Sequence, residues 1–122
     1  MSPAFYKVVH LSGIFMLLAA YGAAVALSLQ GATAKGTPGR TLVVATHGTG
    51  MFFALLGGFG LVAREGVAWP WPGWLFAKIV IWLALGGLLT LALRKPAAAK
   101  PLWFGVLALA ILAACLAQFK PF

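Results

Sequence analysis

Hydrophobic residues occupy four long stretches of the chain, separated by short segments that hold most of the charged residues. The stretches run over residues 5–29, 41–63, 73–93 and 102–119. Each is close to the roughly 20 apolar residues that a helix needs to cross a bilayer. The pattern therefore predicts an all-α integral membrane protein, a four-helix bundle whose four spans form one domain.

The composition agrees with this class. Hydrophobic residues make up 63% of the chain and charged residues 8%, and the mean hydropathy is +1.03. Such a chain has too little polar surface to remain soluble in water after folding. Most of its 122 residues are needed for the spans, which leaves no room for a separate soluble domain. We therefore expect any chemistry to lie between helices.

The distribution of positive charges predicts an orientation, because Lys and Arg in short loops stay on the cytoplasmic side. The first and third connections carry Lys35, Arg40, Arg94, Lys95 and Lys100, whereas the opposite face carries Lys7, Arg64 and Lys120. Both termini are thus predicted to face outward, on the periplasmic side if the membrane is a bacterial inner membrane. The net charge of +8 is explained by anchoring to anionic headgroups of the lipid bilayer. Basic residues flank the spans rather than forming one patch, which argues against nucleic-acid binding.

Three ionisable side chains lie inside the spans and are the candidate functional residues: His10, His47 and Lys78. His10 and Lys78 each lie about one and a half turns in from the periplasmic face, so we expect them at one level. His47 lies on a helix that enters from the cytoplasmic face. The two histidines are then separated by ~13 Å along the membrane normal, too far for both to ligate one haem.

Lys78 and His10 each allow a structural and a functional interpretation. The ammonium of Lys78 either snorkels past Trp74 to the interface or is held by cation–π contact with Trp74 and Trp82. His10 is either a neutral histidine bonded to a neighbouring helix or a metal or haem ligand. Gly13, one turn on, leaves space for a flat ring or a close helix.

His47 has two interpretations of its own. Met51 follows it by four residues, so the pair offers a nitrogen and a thioether to a soft metal such as Cu(I), as in a copper-handling membrane protein. Alternatively, His47 forms a polar cluster with Thr46 and Thr49 that bonds across helices. Close helix packing is predicted at several glycines: Gly48, Gly50, Gly57, Gly58, Gly60, Gly86 and Gly87.

Three motifs carry a resemblance to known families. They are "Y-K-V-V-H-L" at 6–11, "T-H-G-T-G-M-F-F-A-L-L-G-G" at 46–58, and "W-L-F-A-K-I" at 74–79 followed by "L-A-L-G-G-L-L-T-L-A-L-R". Together they resemble the SirB family of small four-span bacterial membrane proteins. That family has Lys-x-x-His in the first span, an early His in the second and Trp-Leu-x-x-Lys in the third. The first and third motifs also resemble HemJ-type protoporphyrinogen oxidases and, more loosely, CopD-type copper-resistance proteins.

The HemJ-type resemblance implies a role for two residues. His10 and Lys78 match that family's essential histidine and lysine, which implies haem b or a porphyrin, membrane electron transfer, and a quinone or porphyrin as partner. The third span has "L-G-G-L-L-T" where those oxidases carry a further histidine. The residues themselves suggest a cofactor pocket at the outer level, in which His10 binds iron and cations such as Lys7 and Lys78 pair with carboxylates beside Trp74.

Other chemistry finds little support in the sequence. The chain has one acidic side chain, Glu65, in a loop, so no Ser-His-acid set can be built, and it contains no HExxH or phosphate-binding glycine motif. Two hypotheses remain. The first is a haem- or porphyrin-associated redox protein with His10 as ligand and Lys78 in the active site. The second is a non-catalytic subunit, packed in a homo-oligomer or a larger membrane complex through glycine and alanine faces.

Overall fold

A computed structural model describes residues 2–31 and 34–122 and contains four long α-helices in this part of the chain. They are α1 (Pro3–Leu29), α2 (Arg40–Arg64), α3 (Gly73–Arg94) and α4 (Ala99–Phe119), with a 3₁₀ turn, Pro96–Ala98, before α4. All four are long and apolar enough to span a membrane. The all-α, four-helix prediction is confirmed. Ala32 and Thr33, in the predicted first connection, lie outside the described residues.

The helix ends follow local chemistry. Ser2 caps α1 because its hydroxyl accepts the Phe5 N–H at 3.2 Å, and Pro3 occupies the first turn, where no N–H is needed. The largest departure from the predicted bounds is α4, which begins at Ala99 rather than at residue 102. The sequence pattern assigns Pro101 to the preceding loop. Proline nevertheless fits the first turn of a helix, because the backbone N–H groups of that turn have no acceptor within the helix and proline has no N–H to satisfy.

Helices α1 and α3 each contact all three other helices, and α1 makes the most extensive of these contacts. Helices α2 and α4 make no contact with each other among the described residues. The most extensive packing is between α1 and α2, which run antiparallel: Tyr6 lies on Gly60 and the backbone of His10 lies on Gly57. A side chain at Gly13 would collide with the backbone of α2. Of the two interpretations of Gly13, the structure therefore shows the close helix.

The glycines predicted as packing positions differ in what lies next to them. Gly50 and Gly57 lie in the α1–α2 seam, by which we mean the close contact made by Gly13, Gly50, Gly57 and Gly60. Gly86 contacts the end of the Met51 side chain. Gly48 and Gly87 have nothing within 4 Å of the position a Cβ would take, so the prediction of close packing is wrong for these two within the described chain.

Aromatic residues gather at one end of the bundle, here called the tryptophan end and defined by Trp69, Trp71 and Trp74. The ring of Phe59, near the end of α2, lies 5.6 Å from that of Trp71. The N–H of Gly73, at the start of α3, donates to the carbonyl of Phe122 at 3.0 Å. The end of α2, the start of α3 and the last residues of the chain therefore lie together.

Candidate cofactor site

His10 is oriented by a hydrogen bond to the neighbouring helix. Its ring is half-buried, and Nδ1 lies 2.8 Å from the carbonyl oxygen of Ala54 in α2. A carbonyl can only accept, so this bond requires the proton on Nδ1 and leaves the lone pair of Nε2 available. The ring edge lies beside Gly58, where a Cβ would be 3.4 Å from Nδ1 and so in ordinary van der Waals contact. Metal-binding histidines are commonly held in this way, with one ring nitrogen bonded and the other free.

Lys78 lies on α3 in the same electrostatic environment as His10. Its side chain is half-buried, its charge acts on the His10 ring, and the carboxylate of Glu65 acts on it in turn. Lys78 therefore lies within electrostatic range of His10 and of the chain's single acidic residue. Counting residues into the spans predicts a common level for the first two but gives no role to Glu65.

The aromatic environment expected for Lys78 differs in the structure. The cation over the ring of Trp74 is Lys120, with Nζ 5.5 Å from the ring centroid. Trp82 uses its indole N–H to donate to the Met51 carbonyl at 3.0 Å. Within residues 2–31 and 34–122, a cation–π contact of Lys78 with these two rings is therefore a wrong prediction. Lys120 reaches Trp74 because α4 ends at Phe119 and the left-handed backbone at Lys120 turns the chain back.

Lys7, the other predicted cofactor contact, is exposed and precedes His10 by three residues. Residues at this spacing lie on the same side of a helix. Lys78 is the cation that acts on the His10 ring, whereas Lys7 is exposed and Trp74 is in contact with Lys120.

His47 forms a second polar cluster, which is buried in the bundle. Its Nε2 donates to the carbonyl of Leu85 in α3 at 3.0 Å, and the Tyr21 hydroxyl donates to the same oxygen. The rings of Tyr21 and His47 pack edge to face, with centroids 5.3 Å apart. His47 therefore bonds across helices as the second interpretation expected. Its partner in the cluster is Tyr21, whereas Thr49 bonds within its own helix.

This arrangement leaves one nitrogen of His47, Nδ1, with a lone pair for the predicted copper ligation with Met51. The end of the Met51 side chain packs against Gly86. No group of three or more His, Cys, Asp or Glu side chains suited to a metal occurs among the described residues. The copper site stays a prediction.

The two histidines lie at different depths. His10 adjoins α2 between Ala54 and Gly58, about nine residues from His47 along that helix. At the helical rise this is ~13 Å, in agreement with the depth estimate from sequence. One haem bound by both residues does not fit this arrangement.

Tyr21 was missed as a site residue by sequence reasoning. The available signal was a phenol in the middle of an apolar span, because a hydroxyl in hydrocarbon needs a partner.

Comparison of the chain with protein-family models, curated proteins and solved structures gives no match. The function must therefore be inferred from the geometry of this chain.

Proposed function

We propose that the protein is a haem- or porphyrin-associated redox protein of SirB- or HemJ-like type, in which His10 would hold the iron. The observation that carries the proposal is the bond from His10 Nδ1 to the Ala54 carbonyl. It orients the ring and leaves the lone pair of Nε2 available to a metal ion. One neutral imidazole is a sufficient protein ligand for haem iron.

Lys78 and Lys7 supply the charge that such a cofactor needs. Haem and porphyrins carry propionate carboxylates, and ammonium groups pair with carboxylates through charge-assisted hydrogen bonds. Lys78 acts electrostatically on His10 and is half-buried, so its ammonium is poorly solvated and gains from an anionic partner. We assign Lys78 as the residue that positions the cofactor or an anionic substrate, and Lys7 as a second contact nearer the surface.

When bound, the haem or porphyrin would supply one-electron chemistry, with a quinone or a porphyrin as the partner. The chain itself would hold the group, orient it through His10 and exclude water with the surrounding apolar helices. We place the protein in a bacterial inner membrane with both termini periplasmic. This orientation rests on the five loop cations of the first and third connections, Lys35, Arg40, Arg94, Lys95 and Lys100.

The test is a visible absorption spectrum of the detergent-purified protein, oxidised and dithionite-reduced, with and without added hemin. We expect a Soret band in the wild-type protein, its loss in His10→Ala, and a weaker or shifted band in Lys78→Met. His47→Gln is the matched control, because it removes the other histidine but retains a donor near Leu85. A wild-type protein without a band after hemin addition, or a band lost equally in His47→Gln, would reject the proposal.

A second candidate function is a non-catalytic subunit of a larger membrane complex. It is favoured by small exposed positions that the bundle leaves unpacked: Gly48 and Gly87 are exposed and have no neighbour within 4 Å of the position that a Cβ would take. Small residues on a helix surface allow another helix to approach closely. A colourless protein that co-purifies with a complex, and loses it on Gly48→Leu, would favour this function over the first.

A further inference from the structure

A groove of about 390 Å³ runs along the outer side of the α1–α2 seam. Its walls are one residue of α1 and five of α2: Tyr6, Phe52, Leu55, Leu56, Phe59 and Gly60. Apart from the Tyr6 hydroxyl, the side chains that line the groove are apolar. The groove falls within the size range of sites that bind small molecules in proteins.

This groove is distinct from the candidate cofactor site. His10 adjoins Ala54 and Gly58 on α2. Leu56, in the groove wall, lies two residues from each of them and therefore on nearly the opposite side of the helix. A ligand in the groove would not touch the His10 ring.

The length and surroundings of the groove fit a lipid acyl chain. Phe52, Leu56 and Phe59 are 58%, 47% and 37% exposed on a helix that is apolar enough to span a membrane. From Phe52 to Gly60 the helix rises ~12 Å, which is most of the ~15 Å depth of one leaflet's hydrocarbon. Lipid acyl chains surround the exposed side of a helix that spans a membrane.

An exposed arginine, Arg64, lies one helical turn beyond the last α2 residue that lines the groove. Arg64 is the last residue of α2 and follows Gly60 by one turn. Helical side chains lean toward the N-terminus of their helix, which directs Arg64 back over the groove. Arg64 is exposed and has no ion-pair partner among the described residues, while the neighbouring carboxylate, Glu65, acts on Lys78. The tryptophan end marks this level as the membrane interface, where lipid phosphates lie.

We propose that the groove and Arg64 form a binding site for one anionic phospholipid. Its acyl chain lies between Tyr6 and the α2 side chains, and its phosphate is bound by the guanidinium of Arg64. Guanidinium groups bind phosphate oxygens through two parallel hydrogen bonds, which favours arginine over lysine for this role.

Native mass spectrometry of the detergent-purified full chain tests the headgroup part, with phosphatidylglycerol and phosphatidylcholine as the added lipids. We expect one phosphatidylglycerol retained by the wild-type protein and retention of phosphatidylcholine to be lower. Arg64→Gln should weaken phosphatidylglycerol binding about fivefold. Arg94→Gln is the matched control, since Arg94 is also an exposed last residue of a helix but belongs to α3, which contributes no residue to this groove. Equal losses in the two variants, or equal retention of both lipids, would overturn the proposal.

A second pair of variants tests the groove. Leu56→Trp should fill it and reduce lipid retention, whereas Leu83→Trp places the same side chain at an exposed position of α3, outside the groove. Leu56 is itself exposed, so the substitution does not disturb the buried core. Unchanged retention in Leu56→Trp would show that the lipid does not occupy the groove.

Discussion

Four polar side chains inside the spans use the same kind of partner, a backbone carbonyl of another helix. His10 bonds to Ala54, Trp82 to Met51, and both His47 and Tyr21 to Leu85. The composition explains this choice, because one acidic residue in the whole chain leaves few side-chain acceptors. A helical carbonyl has a second lone pair after its own helical bond is made. In hydrocarbon these are the acceptors that remain.

The Tyr21 hydroxyl can be removed with little change of shape. We expect Tyr21→Phe to lower the free energy of unfolding by about 0.6 kcal/mol, and by at most ~1.7 kcal/mol, which is the range for hydrogen bonds between membrane helices. The measurement is reversible unfolding in mixed detergent micelles. Tyr6→Phe is the control, because the Tyr6 hydroxyl has no hydrogen-bond partner among the described residues. A loss of the same size in both variants would show that the Leu85 carbonyl contact contributes nothing specific.

At the residue scale, the sequence predicts the depth of a side chain in the membrane better than it predicts which residue that side chain contacts. The shared level of His10 and Lys78 follows from counting residues into two spans, and the electrostatic effect of Lys78 on His10 is consistent with it. The cation over Trp74 could not be obtained in this way. It is Lys120, which reaches the ring through a turn after α4 that no spacing within α3 encodes.

The α1–α2 seam is the element that places His10, since Gly57 lies directly under its backbone. A Cβ at Gly57 would lie 2.6 Å from His10 Cα and 2.7 Å from His10 Cβ, both of which are fixed by the helix. The two helices can approach this closely only where α2 has no side chain. The Ala54 carbonyl comes within reach of the His10 ring for the same reason.

Gly57→Ala should therefore separate the helices and lower the free energy of unfolding by about 1–3 kcal/mol, as in other overpacked contacts. Gly48→Ala is the matched control on the same helix, where nothing lies within 4 Å and alanine favours the helix. Thermal unfolding in detergent measures both. If Gly57→Ala is as stable as Gly48→Ala, the close contact does not hold the pair together.

Sequence alone was sufficient for the number of helices but not for their pairing. Length and hydropathy define the spans, and the bounds differ by at most three residues, at the start of α4. Which glycines lie in contact depends on the side of each helix that faces its neighbour. Gly48 and Gly50 are two residues apart and so point in different directions, and only Gly50 meets α1.

At the scale of the whole molecule, the orientation in the membrane can be tested at the two long connections. In a Cys115→Ala background, we expect Ala68→Cys to react with a membrane-impermeant maleimide in intact cells. Ala34→Cys should react only after the membrane is permeabilised, because the first connection carries the cytoplasmic charges. Both positions are exposed and lie outside the helices. The reverse labelling pattern would contradict periplasmic termini.

The extensive contact between α1 and α2 has a consequence for biogenesis. The ribosome delivers α1 and α2 first, and these two helices make the most extensive contact in the bundle. They can therefore leave the translocon as a paired hairpin while the rest of the nascent chain is still being made. Helix α4 emerges last and has no contact with α2 among the described residues, so its docking on α1 and α3 need not open the earlier pair. Assembly can proceed by addition, without rearrangement of helices already inserted.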